Sequence, residues 1–354
     1  LKFMIKYKIP INTKEKKYSI IIGSDIIQNI SKILLKEKIY FEKCLIVLDK
    51  NIPLNFISIL LKKLKTKKVI YKFKALEKNK NYKNVDKIHN ILFKHKFNRT
   101  DCIISFGGGI TGDVVGFSAS TFKRGIKFIN IPSTLLSQVD SSIGGKTGIN
   151  NSFGKNLVGS FYQPDLVISD TKLLKSLTYR EIICGYAEIL KSSLINNKKN
   201  FDYLEKNYKN IINLQPPFIE KAIIFSCKLK KKVVEKDEKE KNYRKVLNLG
   251  HTFAHAYEST LKFSNKLNHG EAVIMGIKNA IQFSKNNKYL SNNKFNFINN
   301  HINKIGLMHK FNKLFKIKDL NKIIMFMKSD KKNNSKKINL ILIKDFGKIK
   351  TDFQ

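Results

Sequence analysis

The stretch that decides the fold is Asp101-Cys-Ile-Ile-Ser-Phe106-Gly107-Gly-Gly109-Ile-Thr-Gly112-Asp113. Its first half is a short apolar run of the kind that fills a buried strand. Its second half turns on glycines into a helical run over residues 114–121. Glycine lets backbone N–H groups come close to a phosphate, and a helix that starts there aims its unpaired N–H groups and positive dipole end at the same spot. The G-x-G-x-x-G spacing of Gly107, Gly109 and Gly112 therefore predicts a pyrophosphate at a helix N-terminus. One companion is missing: no acid ends a strand about 20 residues further on, where a ribose is ordinarily held, and the nearest is Asp140. The unit is not an ordinary Rossmann unit.

Outward from this turn, strand and helix patterns alternate. Strands are expected at residues 3–10, 18–22, 44–48, 68–73, 127–131 and 166–169, with helices at 24–37, 53–64 and up to 93. Alternation of this kind predicts a parallel sheet. Asp49 closes the strand at 44–48, either as the acid that holds a nucleotide ribose or as a plain turn residue. From about Leu173 the apolar residues fall at 3.6 spacing to near residue 328, and one late strand is expected at 337–343. The fold class is α/β plus α: a Rossmann-like domain over residues 1–176 and a mainly helical domain over 177–354.

The run Asp140-Ser-Ser-Ile-Gly-Gly-Lys146-Thr-Gly-Ile-Asn150-Asn-Ser-Phe-Gly154-Lys155-Asn156 is poor material for a core. Its glycines, lysines, hydroxyls and amides suit an anion-gripping loop, and a polar surface loop is the plainer alternative.

With 354 residues and 42% hydrophobic content the chain can build two domain cores. A formal net charge of +41 ordinarily points to nucleic acid or an anionic membrane. Here lysine, asparagine and isoleucine abound everywhere and arginine is scarce, a profile that A+T-rich codons explain. Nucleic-acid readers lean on arginine and concentrate their charge, so only nonspecific binding is expected. Cys44, Cys102, Cys184 and Cys227 form no C-x-x-C pair and read as reduced, packed thiols. No apolar run approaches the roughly 18 residues that cross a bilayer. A cytoplasmic protein with no membrane contact is expected.

In the helical half, His251 and His255 are four apart and share one helix face, and His269 follows within nineteen residues of His251. No glutamate gives H-E-x-x-H, which weakens a zinc-protease reading. The histidines are either metal ligands or packed, capping imidazoles. Glu188 and Lys191, three apart on another helix, offer an anionic ligand and a substrate ammonium, or else an ordinary surface pair.

Taken in order, Gly107-Gly-Gly-Ile-Thr-Gly-Asp113, Arg124-Gly, Leu135-Leu-Ser-Gln-Val-Asp140-Ser-Ser-Ile-Gly-Gly-Lys146-Thr, Gly154-Lys155-Asn156, Phe161-Tyr-Gln-Pro, Ala187-Glu188-Ile-Leu-Lys191, Asn248-Leu-Gly-His251-Thr-Phe-Ala-His255 and His269-Gly-Glu-Ala resemble the motifs of the 3-dehydroquinate synthases, a sugar-phosphate cyclase family. The resemblance covers nearly the full length. It implies an NAD-binding domain, a helical metal domain, an active site in the cleft between them and a homodimer. It implies NAD contacts at Asp49, Asn51, Glu77, Lys80, Gly108, Gly109, Ile110, Asp113, Ser133, Thr134, Lys146, Lys155 and Ser176. It implies one divalent metal, zinc or cobalt, on Glu188, His251 and His269. For the acidic sugar-phosphate substrate it implies Arg124, Asp140, Lys146, Asn156, Lys191, Lys230, Arg244, Asn248 and His255, with one of Lys331 or Lys332 arriving late. His255 and Glu240 are its candidates for proton transfer, the leaving phosphate being the alternative base.

Two departures from the family pattern stand out. Ala75-Leu76 replaces the usual Asp-Gly before Glu77, and serines stand at 133 and 176 where threonine is frequent. The rival readings are a sibling cyclase, a metal-dependent polyol dehydrogenase, or a basic binding protein on an inactive scaffold. A plain dehydrogenase has no phosphate and carboxylate to clamp, and drift would erode the Glu188, His251 and His269 set.

Overall fold

The computed structural model describes residues 7–328 and 337–354. The strand start expected at residues 3–6, the late lysines Lys331 and Lys332, and most of the Lys/Asn-rich patch at 328–337 lie outside them. The chain forms two compact units. The first runs to Ile182 and takes back Ile219–Lys239; the second is Ile183–Phe218 with Glu240–Gln354. A single cut at residue 176 is thus replaced by three crossings, because helix Phe218–Lys236 belongs mostly with the first unit. The Cys227 thiol on that helix donates to the Gln138 carbonyl at 3.4 Å, and Glu238 just past it accepts from Gln163 Nε2 at 2.8 Å. Helical periodicity shows that a face is buried, not which neighbour covers it.

The first unit is built on a seven-stranded sheet. Its strands are β1 (Tyr7–Asn12), β2 (Lys17–Gly23), β3 (Lys43–Asp49), β4 (Lys67–Phe73), β5 (Cys102–Gly107), β6 (Lys127–Pro132) and, after the hairpin strands β7 (Lys146–Asn151) and β8 (Gly154–Phe161), β9 (Leu166–Asp170). The order is β1-β2-β9-β6-β5-β3-β4, parallel throughout except where β1 meets β2. Helices α1 (Ile30–Lys36), α2 (Leu54–Lys63), α3 (Tyr82–Lys94) and α4 (Gly109–Thr121) connect the strands. Cys44, Ile46 and Leu48 of β3 pack with Ile33, Phe56 and Leu60 from α1 and α2. Leu45 and Val47 point the other way, onto Val85, Ile88, Val114 and Phe117 from α3 and α4. Both faces are covered, so the strands read as unbroken apolar runs rather than alternating ones. Each buried Ile, Leu or Phe contributes about 1.5–3 kcal/mol.

The strand order sets the place of the site. From β3 the chain steps to β4 at the edge, then crosses back to β5 on the far side of β3. The crevice outside the carboxyl ends of β3 and β5 is a topological switch point, where open α/β sheets hold ligands. Asp49 and Gly107 end those two strands. The polar run after β6 is no loop. It forms a π-turn at Ser137–Ser141 and then the β7–β8 hairpin, paired from Lys146↔Phe161 to Asn151↔Gly154.

Two buried groups hold this carboxyl edge. Gln138 Nε2 donates to the carbonyls of Pro132 and Asp170 at 3.1 and 2.9 Å, bridging the ends of β6 and β9. The Asp170 carboxylate accepts from the N–H groups of Asp25, Ile27 and Lys172 at 2.8, 3.0 and 3.0 Å.

The second unit comprises most of helix α5 (Tyr179–Asn196), then α6 (Lys198–Ile212), α8 (His251–Thr260), α9 (His269–Asn286), α10 (Asn292–Lys304), α11 (Met308–Leu314), α12 (Leu320–Lys328) and the hairpin of β10 (Leu340–Asp345) and β11 (Lys348–Phe353), α7 being the helix Phe218–Lys236 already placed. Its core is tied at His301, which is fully buried. Tyr186 Oη of α5 lies 2.6 Å from His301 Nε2, Nδ1 meets the Glu205 carboxylate of α6, and the rings of Phe201 and Tyr208 close around it.

Asp170→Ala leaves three N–H groups without their charged partner, a cost of about 3 kcal/mol that should appear as a lower unfolding midpoint, with Asp170→Asn milder. Burial holds the His301 imidazole below its ordinary range. A lowered folded-state pKa means that the unfolded chain binds the proton first, so stability is lost as pH falls below about 6.5. The unfolding midpoint should drop between pH 7.5 and 5.5, and His301→Gln should flatten that part of the curve.

Candidate active site

In the first unit, Gly107 must be glycine: a Cβ there would sit 2.5 Å from Thr111 Oγ1 and 3.0 Å from Asp49 Cβ. Gly108 caps α4 and Gly109 opens it, so helix begins earlier than the apolar pattern at 114 suggests. The first N–H groups of α4 face out at the switch point. Thr134 lies against Gly108, whose Cβ would be 3.1 Å from the Thr134 methyl, and Ser133 N–H donates to the Gly107 carbonyl at 2.9 Å. Asp49 Oδ1 accepts from Asn51 N–H at 3.0 Å; burial raises the Asp49 carboxyl, against that bond. Asp49, Asn51, Gly108, Gly109, Ile110, Ser133 and Thr134 thus gather at one edge of the sheet. Ser176 ends the turn after β9, exposed, its hydroxyl on the Leu173 carbonyl at 2.7 Å.

The hairpin is fastened to this edge by polar contacts. Lys80 is 5% exposed and reaches both the Asp113 carboxylate and the Asn156 amide. Burial raises Asp113, with the Lys80 charge opposing it. Glu77 accepts from Asn150 Nδ2 at 2.7 Å and lies 3.8 Å from Lys155 Nζ. Leu76, from the departure Ala75-Leu76, stands immediately before the turn Glu77–Asn79. Lys230 on α7 donates to Asp140 Oδ1 at 2.7 Å, and Lys146 opens β7 exposed to solvent. Arg124 stands apart. It follows α4, a 13-residue helix about 20 Å long, and so lies at the opposite edge of the sheet from the glycine turn.

In the second unit, Glu188 is 2% exposed in its side chain, on α5. Its Oε1 accepts no hydrogen bond, and lies 3.6 Å from His251 Nε2 and 3.8 Å from His269 Nε2. Ligand atoms about 2.1 Å from a tetrahedral ion stand roughly 3.4 Å apart, so the set fits one divalent cation. Among the described residues, Glu188, His251 and His269 are the group of this kind, with all ligand atoms within 4.8 Å of one another. The outer ring nitrogens are engaged: His251 Nδ1 with the Leu249 carbonyl at 3.3 Å, His269 Nδ1 with Glu258 Oε2 at 3.2 Å. Burial alone would lower the His269 imidazole; the Glu258 bond and the charges of Glu258 and Glu188 raise it on balance.

Close backbone approaches bring these helices together. A Cβ on Gly276 would lie 2.0 Å from the Gly250 carbonyl oxygen, where the start of α8 crosses α9, and one on Gly270 would lie 2.3 Å from Cys184 Cα on α5. Lys191 pairs with Glu188, and the His255 ring stands 5.5 Å from that of His251. Arg244, 1% exposed, and Asn248 lie on the turn before α8, with Asn248 Nδ2 donating to Glu240 Oε1 at 3.1 Å. Sequence reasoning passed over Glu258. Its signal was spacing: seven residues after His251 and three after His255, it shares their helix face.

The model of the 3-dehydroquinate synthase N-terminal domain matches residues 70–184, and that of the C-terminal domain matches 185–333. The chain is 60% identical to 3-dehydroquinate synthase of Pelagibacter ubique (strain HTCC1062) over 341 residues, 96% of this chain and 93% of that protein. It is 38% identical to 3-dehydroquinate synthase of Alkaliphilus metalliredigens (strain QYMF), covering 97% and 94%. Among solved structures, 2-deoxy-scyllo-inosose synthase complexed with carbaglucose-6-phosphate, NAD+ and Co2+ superposes with a TM-score of 0.86 at 26% identity, covering 98% of this chain and 94% of that one. A Glu188, His251 and His269 cluster able to hold a cation, a glycine turn at a switch point and matches across both halves lead to one conclusion: the chain belongs to the 3-dehydroquinate synthase family.

Proposed function

We propose that the protein is a 3-dehydroquinate synthase, a phosphate-eliminating lyase that converts 3-deoxy-D-arabino-heptulosonate 7-phosphate to 3-dehydroquinate and phosphate, a step towards aromatic amino acids. The observation that carries the reading is the buried Glu188 oxygen facing two imidazole nitrogens at 3.6 and 3.8 Å. The sibling cyclase at 26% identity is far more distant than the synthase at 60%. When bound, NAD supplies reversible hydride acceptance and the metal, zinc or cobalt, supplies Lewis acidity at the carbon-5 hydroxyl.

The chain's own residues then hold one substrate through oxidation, elimination, re-reduction and the closing aldol step. Glu188, His251 and His269 would hold the metal. The N-terminus of α4, with Asp49, Asn51, Thr134 and Asp113, would hold NAD. We assign to the substrate's phosphate and carboxylate Lys146, Asn156, Lys191, Lys230, Arg244 and Asn248, as the family resemblance gives them. Asp140, bonded to Lys230, orients that ammonium. His255, beside the ligand His251, is the proton carrier of choice, and Glu240, bonded to Asn248, keeps the neighbouring amide in register. Arg124, beyond the far end of α4 from the glycine turn, is assigned to the substrate on the family resemblance alone. Among the described residues no helix is long and apolar enough to cross a membrane. A cytoplasmic homodimer completes the proposal, and light scattering tests the dimer.

Purified protein given NAD+ and Zn2+ or Co2+ should release phosphate from the heptulosonate phosphate, with release stopped by chelation and restored by metal. Release that ignores the chelator, or no release with both cofactors supplied, contradicts the reading. His269→Ala should keep its circular dichroism and lose its metal on dialysis, read by elemental analysis, while still taking up added Co2+ with a weaker, measurable Kd.

A further inference from the structure

We infer that Glu258 is a positioning residue, whose carboxylate holds the His269 ring so that Nε2 rather than Nδ1 faces Glu188. The inference rests on the reading of Glu188, His251 and His269 as metal ligands and extends it to a residue that reading does not use. Glu258 Oε2 lies 3.2 Å from His269 Nδ1 while the opposite nitrogen lies 3.8 Å from Glu188 Oε1. With the Nδ1 proton donated to a carboxylate, the Nε2 lone pair is left pointing at the metal position. Helix α8 thus supplies one ligand directly, His251, and governs the second through Glu258 on the same face.

The two imidazoles differ in what they need. His251 has an 11% exposed side chain and leans on a neutral backbone carbonyl, whereas His269 is 33% exposed and sits on the first residue of α9. A ring at a helix start has no preceding turn to lean against, so a side-chain partner has to set its angle. The backbone at that point is held by other contacts. Asn268 and Glu271 form a capping box, Lys310 donates to Glu271 at 2.6 Å, and Gly270 N–H donates to the Cys184 sulfur at 3.3 Å. Removal of Glu258 therefore frees the ring and leaves the helix in place. A carboxylate partner also strengthens the ligand's electron donation in a way that a carbonyl does not.

The test is Glu258→Gln in the full chain, which keeps an acceptor oxygen and removes the charge, titrated with Co2+ and followed by visible absorption. The apo variant should match the wild type in circular dichroism and unfolding midpoint. Its Co2+ Kd should rise about 10- to 100-fold, with a shifted absorption band. In a His269→Ala background the same substitution should cost nothing more, since no ring remains to be held. A wild-type Kd and band in Glu258→Gln, a loss fully additive with His269→Ala, or loss of fold would each overturn the inference. Wild-type protein that takes up no Co2+ would instead overturn the ligand assignment beneath it.

Discussion

A carboxylate out of water beside two imidazoles is the constraint on which the second unit depends. Taking Glu188 into the interior costs several kcal/mol unless positive charge meets it. Lys191 meets one side of the carboxylate; Oε1 accepts no hydrogen bond and faces two nitrogens. A divalent cation answers both needs at once, satisfying the oxygen and joining α5, α8 and α9. The helices reach that point through backbone approaches at Gly250, Gly276 and Gly270 that no larger residue permits. These glycines meet neighbouring backbone, whereas Gly107 and Gly108 meet the side chains of Thr111, Asp49 and Thr134.

In the first unit the matching constraint is topological. Parallel strands covered on both faces leave only the carboxyl ends open, and the reversal of strand order around β3 opens one crevice there. The residues expected to touch NAD come from six places in the chain, each of which follows a strand of the sheet or lies on the hairpin. Lys80 is the keystone of that border. It is buried, and its two partners, Asp113 and Asn156, belong to α4 and β8. Tying the hairpin to the glycine-turn helix keeps polar residues that have little apolar area to bury from wandering.

Much of this was legible in the sequence, for physical reasons. Buried parallel strands such as 44–48 and 102–106 are continuous apolar runs, and a glycine turn leading from one into a helix has few other uses. The Glu188, His251 and His269 set was legible as a resemblance, while the four-residue spacing of His251 and His255 drew attention to one of its members only. The β7–β8 hairpin was not, since the run has no apolar alternation and its strands are also held by partners some 70 residues away, at Glu77 and Lys80. Nor was the return of α7 to the first unit, which is decided by Gln138 and Gln163 far along the chain. Glu258 was missed because a glutamate on a helix ordinarily reads as solvated surface. Arg124 matched a motif of its own in sequence, and α4 separates it along the chain from the glycine turn.

The net charge of +41 can be divided by the same reasoning. Codon bias adds lysine wherever a solvated ammonium costs little, which is at the surface; it does not place cations in the interior, where each must find an anion or lose its charge. Among the described residues the buried lysines and arginines are Lys80, Lys191, Lys230 and Arg244. All four are residues that the family resemblance gives to NAD or to substrate. Lys80 faces Asp113, Lys191 faces Glu188 and Lys230 faces Asp140, each an acid that the same resemblance gives to a site. A chain selected for a polyanion would show the reverse, with its distinctive cations exposed and clustered. The distinctive cations here are the small buried fraction, each of the three lysines facing an acid.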